Sequence, residues 1–138
     1  MKSILLTISL FLIAYISKAQ ENTATVFVTI ENVLHDKGNV LISLHNIETF
    51  MKGPGIIDLK EKAEKGPLTV TFNDIKPGNY AVLIMHDENS NSRMDFEANG
   101  MPKENYGSSG NTIHLGPPSF EASKFKVLNE DLYLTLKF

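Results

Sequence analysis

Four oxygen-bearing side chains recur in one polar stretch of this chain: Asp87, Asn89, Asn91 and Asp95. They occupy relative positions 1, 3, 5 and 9 of a D-x-[DN]-x-[DN] segment, the spacing by which EF-hand-type loops surround calcium. Calcium takes six to eight oxygens at about 2.3–2.6 Å, and alternate residues of a curled backbone can aim several toward one point. Position 7 of such a loop supplies a backbone carbonyl, so Arg93 can stand there whatever its side chain. Two positions differ from the pattern. Ser92 stands where the sharp turn generally uses Gly, and Ala98 stands where a bidentate Glu closes the shell. Glu97, Asn99 and Glu104 could each complete the shell, and spacing alone does not choose among them. The expected ligand set is therefore Asp87, Asn89, Asn91, Arg93, Asp95 and Glu97, with Ca2+ as the ion. Magnesium suits it less, because it demands octahedral geometry and keeps its waters. The same residues could also form a polar loop closed by Asx-turns with no ion.

Other chemistries find weaker support. His35, His45, His86 and His114 are scattered, without H-x-H or H-E-x-x-H spacing, so a zinc or copper site would need the fold to gather them. His86 shares a strand face with Tyr80, Val82 and Ile84, which predicts a core or rim histidine. An acid/base centre for a small hydrolase or lyase could draw on His86, Glu88 and Glu104 around the same loop. Ser108 and Ser109 follow Gly107 but lack the G-x-S-x-G elbow. No phosphate-binding glycine motif is present. Tyr80, Tyr106 and Tyr133 could stack on a small ligand in a carrier.

The elements that must position the loop read as strands. Val26, Val28 and Ile30 alternate with Thr25, Phe27 and Thr29. Val40, Ile42 and Leu44 repeat the pattern, as do Leu68, Val70 and Phe72, and the C-terminal Leu132, Leu134, Leu136 and Phe138. Residues 80–85 are apolar on both faces, which predicts a central strand feeding directly into the loop. This period-two pattern, bounded by Gly, Pro, Asn and Asp, is the strand signature. Asn73 to Gly78 reads as a tight hairpin joining the third and fourth of these strands. Weaker strands are expected near Ile56 and over Phe120 to Val127. Ile47 to Met51 predicts a helical turn, and Leu59 to Lys65 either a helical turn or an exposed edge. The expected fold is all-β: a two-sheet antiparallel sandwich, Ig-like or prealbumin-like, of about seven strands, with at most short helical turns in residues 47–65.

The N-terminal residues predict an address. Met1-Lys2 precedes an apolar run from Ile4 to Ile16, and Ser17-Lys18-Ala19 supplies small residues before a cut. That is the layout of a secretory signal peptide over residues 1–19. A run of about thirteen residues is short of the roughly 20 that span a bilayer. Residues 20–138 would then form a single domain in the periplasm or outside the cell. Without its leader the chain keeps 11 basic and 16 acidic side chains. That balance excludes the basic stripe of a nucleic-acid binder. The absence of Cys excludes disulfides, thiolate metal sites and a lipobox anchor.

His86-Asp87-Glu88-Asn89, Asp95, Gly100-Met101-Pro102-Lys103-Glu104, Tyr106-Gly107 and Ser109 together resemble a secreted bacterial family, domain of unknown function 2141. Its pattern runs H-D-x-N-x-N-G-x-x-D, then G-x-P-x-E-G-Y-G-F-S. Pro77 to Val82 and Gly116 to Glu121 also resemble family positions, so the likeness covers nearly all of residues 20–138. Ser92, Asn105 and Ser108 depart from it, where Gly, Gly and Phe are usual. The resemblance implies a fold and no reaction. The Pro77-Gly78-x-Tyr80 strand start is similar to transthyretin-like and carboxypeptidase-regulatory sandwiches. The Tyr-Arg-Gly-Ser tail of the hydroxyisourate-hydrolysing transthyretin-like enzymes is missing, since this chain ends Leu134-Thr135-Leu136-Lys137-Phe138. The expectation is a noncatalytic module that binds an unidentified protein or small ligand or serves a structural role. A ligand carrier and a small hydrolase or lyase are the alternatives.

Overall fold

The computed structural model describes residues 22–110 and 116–138. The expected leader and His114 lie outside the described residues. Eight strands are found among the described residues: β1 (Ala24–Val33), β2 (Asn39–His45), β3 (Ile57–Lys62), β4 (Gly66–Ile75), β5 (Gly78–Asp87), β6 (Tyr106–Ser108), β7 (Phe125–Val127) and β8 (Leu132–Leu136). One short helix, α1 (Phe120–Ser123), precedes β7. The strands form two sheets. One has the order β4-β1-β8. The other runs β3-β2-β5-β6, with β7 pairing the first residues of β5. This is an all-β sandwich.

The alternation that predicts the strands also decides what fills the space between the sheets. Val26, Val28 and Ile30 of β1 face Val40, Ile42 and Leu44 of β2 and Val82 and Ile84 of β5 across one core, all at most 2% exposed. Phe72 and Leu136 close it from the flanking strands. Each fully buried aliphatic side chain of this kind contributes about 1.5–3 kcal/mol. The two-faced character of β5 has its cause on the other side. Ala81 packs outward with Phe50 and Phe120, whose rings meet edge to face at 5.6 Å.

Three features differ from the sequence reading. The Asn73–Gly78 connection is not a hairpin: β4 pairs β1, whereas β5 pairs β2, so the chain crosses between sheets there. Two-residue hairpins need positive φ at the first loop position or at both. Lys76 is not in that region, and Pro77 is locked out of it. Asp74, at φ 58, bends β4 instead. Second, β8 lies parallel to β1, not antiparallel. β7 finishes beside Gly78, at the end of the sandwich where β1 begins. The four residues that follow cross to the other sheet at that end, where the Asp131 carboxylate accepts the Thr25 N–H at 2.9 Å. Third, residues 120–127 are not one strand. The Ser119 side chain caps α1 by accepting from the Ala122 N–H, and only 125–127 extend. Of the two expectations for Leu59 to Lys65, the exposed edge is the one found, with Leu59 to Lys62 in β3.

The helical turn expected at 47–51 is present. The Phe50 N–H donates to the Asn46 carbonyl, and the Asn46 side chain accepts from the Glu48 and Thr49 N–H groups. This turn covers His45, 3% exposed, whose Nδ1 lies 3.1 Å from the Thr49 hydroxyl. Burial of the ring pushes the His45 pKa below its ordinary 6.5. The unfolded chain therefore binds this proton more readily than the folded one, so stability is complete above the unfolded pKa and declines as pH falls through and below 6.5. Urea denaturation at pH 8 and pH 5 is expected to show a smaller loss of stability on acidification for His45→Gln than for the parent protein.

Candidate functional site

β5 ends on two fully buried residues, His86 and Asp87. His86 Nε2 donates to the Lys37 carbonyl at 2.8 Å, and its ring lies against those of His35 and Phe138. It is the core histidine that the strand pattern predicts, and its Nδ1 has no hydrogen-bond partner among the described residues. Asp87 carries a carboxylate out of solvent, so it needs donors. The following loop supplies them. Asp87 Oδ1 accepts the Asn91 N–H at 3.1 Å, and Oδ2 accepts the Ser92 N–H at 2.8 Å.

Curling the backbone over this carboxylate sends Ser90 and Ser92 into the left-handed region, at φ 61 and 62. Ser92 thus adopts the conformation that Gly would supply at position 6. The Asn side chains reinforce the curl: Asn89 Oδ1 accepts the Asn91 N–H, and Asn91 Oδ1 accepts the Arg93 N–H. Their amide N–H groups converge. Asn89 Nδ2 and Asn91 Nδ2 both donate to Asp95 Oδ2, at 2.6 and 2.8 Å. The Asn89 amide first, then Asn91 and the cations Arg93 and Lys103, hold the Asp95 carboxyl below its ordinary range against an opposing contribution from burial.

From Asp95 the chain forms a small hairpin. Lys103 N–H donates to the Asp95 carbonyl and Glu97 N–H to the Met101 carbonyl, both at 2.8 Å, around a bridge between Phe96 and Pro102. Its tip exposes Phe96 and Met101 by 59% and 61%. The hairpin returns Glu104, 6% exposed, whose Oε2 accepts the Asp95 N–H at 2.8 Å. Of the three residues left open for closing the shell, Glu104 is the one tied to Asp95. Glu97 is exposed and uses its backbone in the hairpin turn. Arg93 is exposed as well.

Three other elements brace the loop. Asn39 at the start of β2 donates to the Ser90 hydroxyl at 2.8 Å, and Lys60 on β3 to the Ser92 hydroxyl at 3.3 Å. The third brace escapes sequence reading. Gly38, at φ 69, lies so close beneath the loop that a Cβ would fall 2.0 Å from the Asp87 carbonyl oxygen. In the sequence it shows only as the end of a turn.

The acid/base candidates do not share a centre. His86 bonds the Lys37 carbonyl, Glu88 Oε1 pairs with His35 Nε2 at 3.0 Å, and Glu104 holds the Asp95 N–H. Ser109 is a structural hydroxyl: its Oγ accepts the Val82 N–H and donates to the Ser123 carbonyl. Tyr80 donates to the Lys76 carbonyl, and Tyr133 stacks on Phe27 in the other sheet, so the tyrosines do not form one platform. Among the described residues no three His, Asp or Glu side chains form a metal cluster. The donors gathered at the loop are two carboxylates and two amides. By their chemistry these side chains suit a hard cation and not zinc, while the two amides turn N–H groups, not oxygens, toward Asp95.

The fold and this loop define a β-sandwich with an Asx-rich loop at one end of its central strand. The sequence pattern of a family described as uncharacterized protein conserved in bacteria (DUF2141) matches residues 28–134, and the chain belongs to that family. No curated protein and no solved structure matches it. Among the described residues no helix is long and apolar enough to cross a membrane.

Two substitutions test the backbone account. A non-Gly residue in the left-handed region carries about 1 kcal/mol of steric cost, so Ser92→Gly is expected to raise stability by up to about that amount in urea denaturation. Gly38→Ala combines positive φ with a backbone clash and is expected to cost about 3 kcal/mol or more. A near-neutral Gly38→Ala would remove the turn from the loop's support.

Proposed function

We propose that this protein is a noncatalytic β-sandwich module, exported after cleavage at Ala19, whose loop at residues 87–104 holds a calcium-type cation. In this reading the loop is stiffened for a binding or structural role. One observation carries it: Asn89 and Asn91 meet on the same Asp95 oxygen, on a curl whose backbone also wraps the Asp87 carboxylate. Asp87 and Asp95 would hold the ion with the amide oxygens of Asn89 and Asn91, and Glu104, whose carboxylate accepts the Asp95 N–H, is a further acid at hand. The ion would supply charge neutralisation, replacing the amide N–H groups that now face Asp95. Asp87 and Asp95 repel each other without it and are cross-linked with it. The braced hairpin then presents Met101 and Phe96 as a contact surface, with Pro102 and Tyr106 beside them.

Calorimetry with calcium and with chelator tests the reading. Calcium at 100 times its dissociation constant adds about 2.7 kcal/mol, which is about 10 °C in melting temperature for a domain of this size. Asp95→Asn is expected to fold and to lose that response. An unchanged melting temperature at millimolar calcium removes the ion from the account.

A further inference from the structure

The three asparagines of the 87–104 loop each precede a small residue: Asn89-Ser90, Asn91-Ser92 and Asn99-Gly100, the last being the one Asn-Gly pair in the chain. All three fold the same way locally. Each side-chain carbonyl accepts the N–H two residues on, from Asn91 for Asn89, from Arg93 for Asn91 and from Met101 for Asn99. They differ at the amide nitrogen and at the residue that follows. Asn89 Nδ2 and Asn91 Nδ2 are both committed to the Asp95 carboxylate. The Ser92 N–H is committed to the buried Asp87 carboxylate. Asn99 and Gly100 are exposed at the hairpin tip. Gly100, at φ 82, has nothing within 4 Å of where a Cβ would sit.

We propose that Asn99-Gly100 is a site of spontaneous chemical modification, at which the Asn99 side-chain amide is hydrolysed and its nitrogen lost as ammonia. The Gly100 backbone nitrogen attacks Asn99 Cγ; a C–N bond forms there and the Cγ–Nδ2 bond breaks. The proton of the Gly100 N–H departs with the amide nitrogen as ammonia, which leaves a five-membered cyclic imide. Water then opens the ring at either carbonyl. One opening gives aspartate, and the other gives isoaspartate, in which the main chain runs through Cβ and Cγ. Two features favour this pair. Glycine puts no side chain beside the attacking nitrogen. The bond that holds its N–H, to the Glu97 carbonyl at 2.9 Å, closes an exposed turn, and exposed loop tips open at little cost. Isoaspartate adds a methylene to the backbone inside the turn that pairs Glu97 with Met101, and that hairpin returns Glu104 to the Asp95 N–H. Modification at the tip therefore loosens a contact at the hairpin's base.

Peptide mapping by mass spectrometry tests the site, on folded protein held with chelator in warm, mildly alkaline buffer. Asn99 is expected to convert at least about tenfold faster than Asn89 or Asn91, whose amides must first give up a hydrogen bond to a carboxylate. Asn99→Gln would have to close a six-membered ring and is expected to keep its amide at that position. In the isoaspartate form, separated by chromatography, the Asp95 N–H is expected to exchange with solvent at least about tenfold faster than in the parent protein. Conversion at Asn89 or Asn91 ahead of Asn99 overturns the proposal. So does an Asn99 that keeps its amide in the folded protein while the same chain, unfolded in urea, loses it. Unchanged exchange at Asp95 overturns the coupling to the hairpin's base.

Discussion

A carboxylate buried at the end of a central strand sets the terms for the rest of this molecule. Asp87 is shut off from water, and a desolvated acceptor of that strength must be met by donors. The nearest are the N–H groups of the residues that follow it. Bringing Asn91 and Ser92 back over Asp87 forces the chain to curl, which places Ser90 and Ser92 at positive φ. The curl in turn throws Asn89, Asn91 and Asp95 together. The loop's shape is thus a consequence of satisfying one group, and its chemistry is a consequence of that shape.

The frame exists to hold that strand still. β5 is covered inward by the aliphatic core and outward by Phe50 and Phe120. It is flanked by β2 on one edge and by β6 and β7 on the other. Gly38 packs the β1–β2 turn against the start of the loop, and the Lys37 carbonyl accepts from His86 in the same turn. Displacing the turn would uncover both buried residues at once. Rigid positioning of this kind is what lets an exposed loop keep one arrangement of polar groups.

Much of this was legible from the residues. Alternation of apolar with other residues marks β1, β2, β4 and β8, as a strand buried on one face requires, and an apolar run on both faces marks β5. The spacing of Asp87, Asn89, Asn91 and Asp95 marked the loop. Pairing was not legible, and the Asn73–Gly78 segment shows why. Its composition is that of a turn, but whether a turn joins neighbours or crosses between sheets depends on φ at Lys76 and Pro77 and on what each strand finds to pair with. Phe120 to Val127 failed differently. Its apolar content suited a strand, and a single cap from Ser119 tipped its first half into a helix.

Sequence alone determined the five principal strands, the inventory of oxygen donors and the absence of any thiol chemistry, since these follow from residue type and spacing within one segment. Tertiary structure decided which donors meet: Glu104 rather than Glu97 reaches Asp95, because a hairpin returns the former and leaves the latter at its rim. It also decided that His86, Glu88 and Glu104 face three separate partners, and that Gly38 supports a loop some fifty residues further along the chain. Those relations come from the pairing of β2 with β5, which sets the β1–β2 turn beside the loop, and from the hairpin that folds Glu104 back to Asp95.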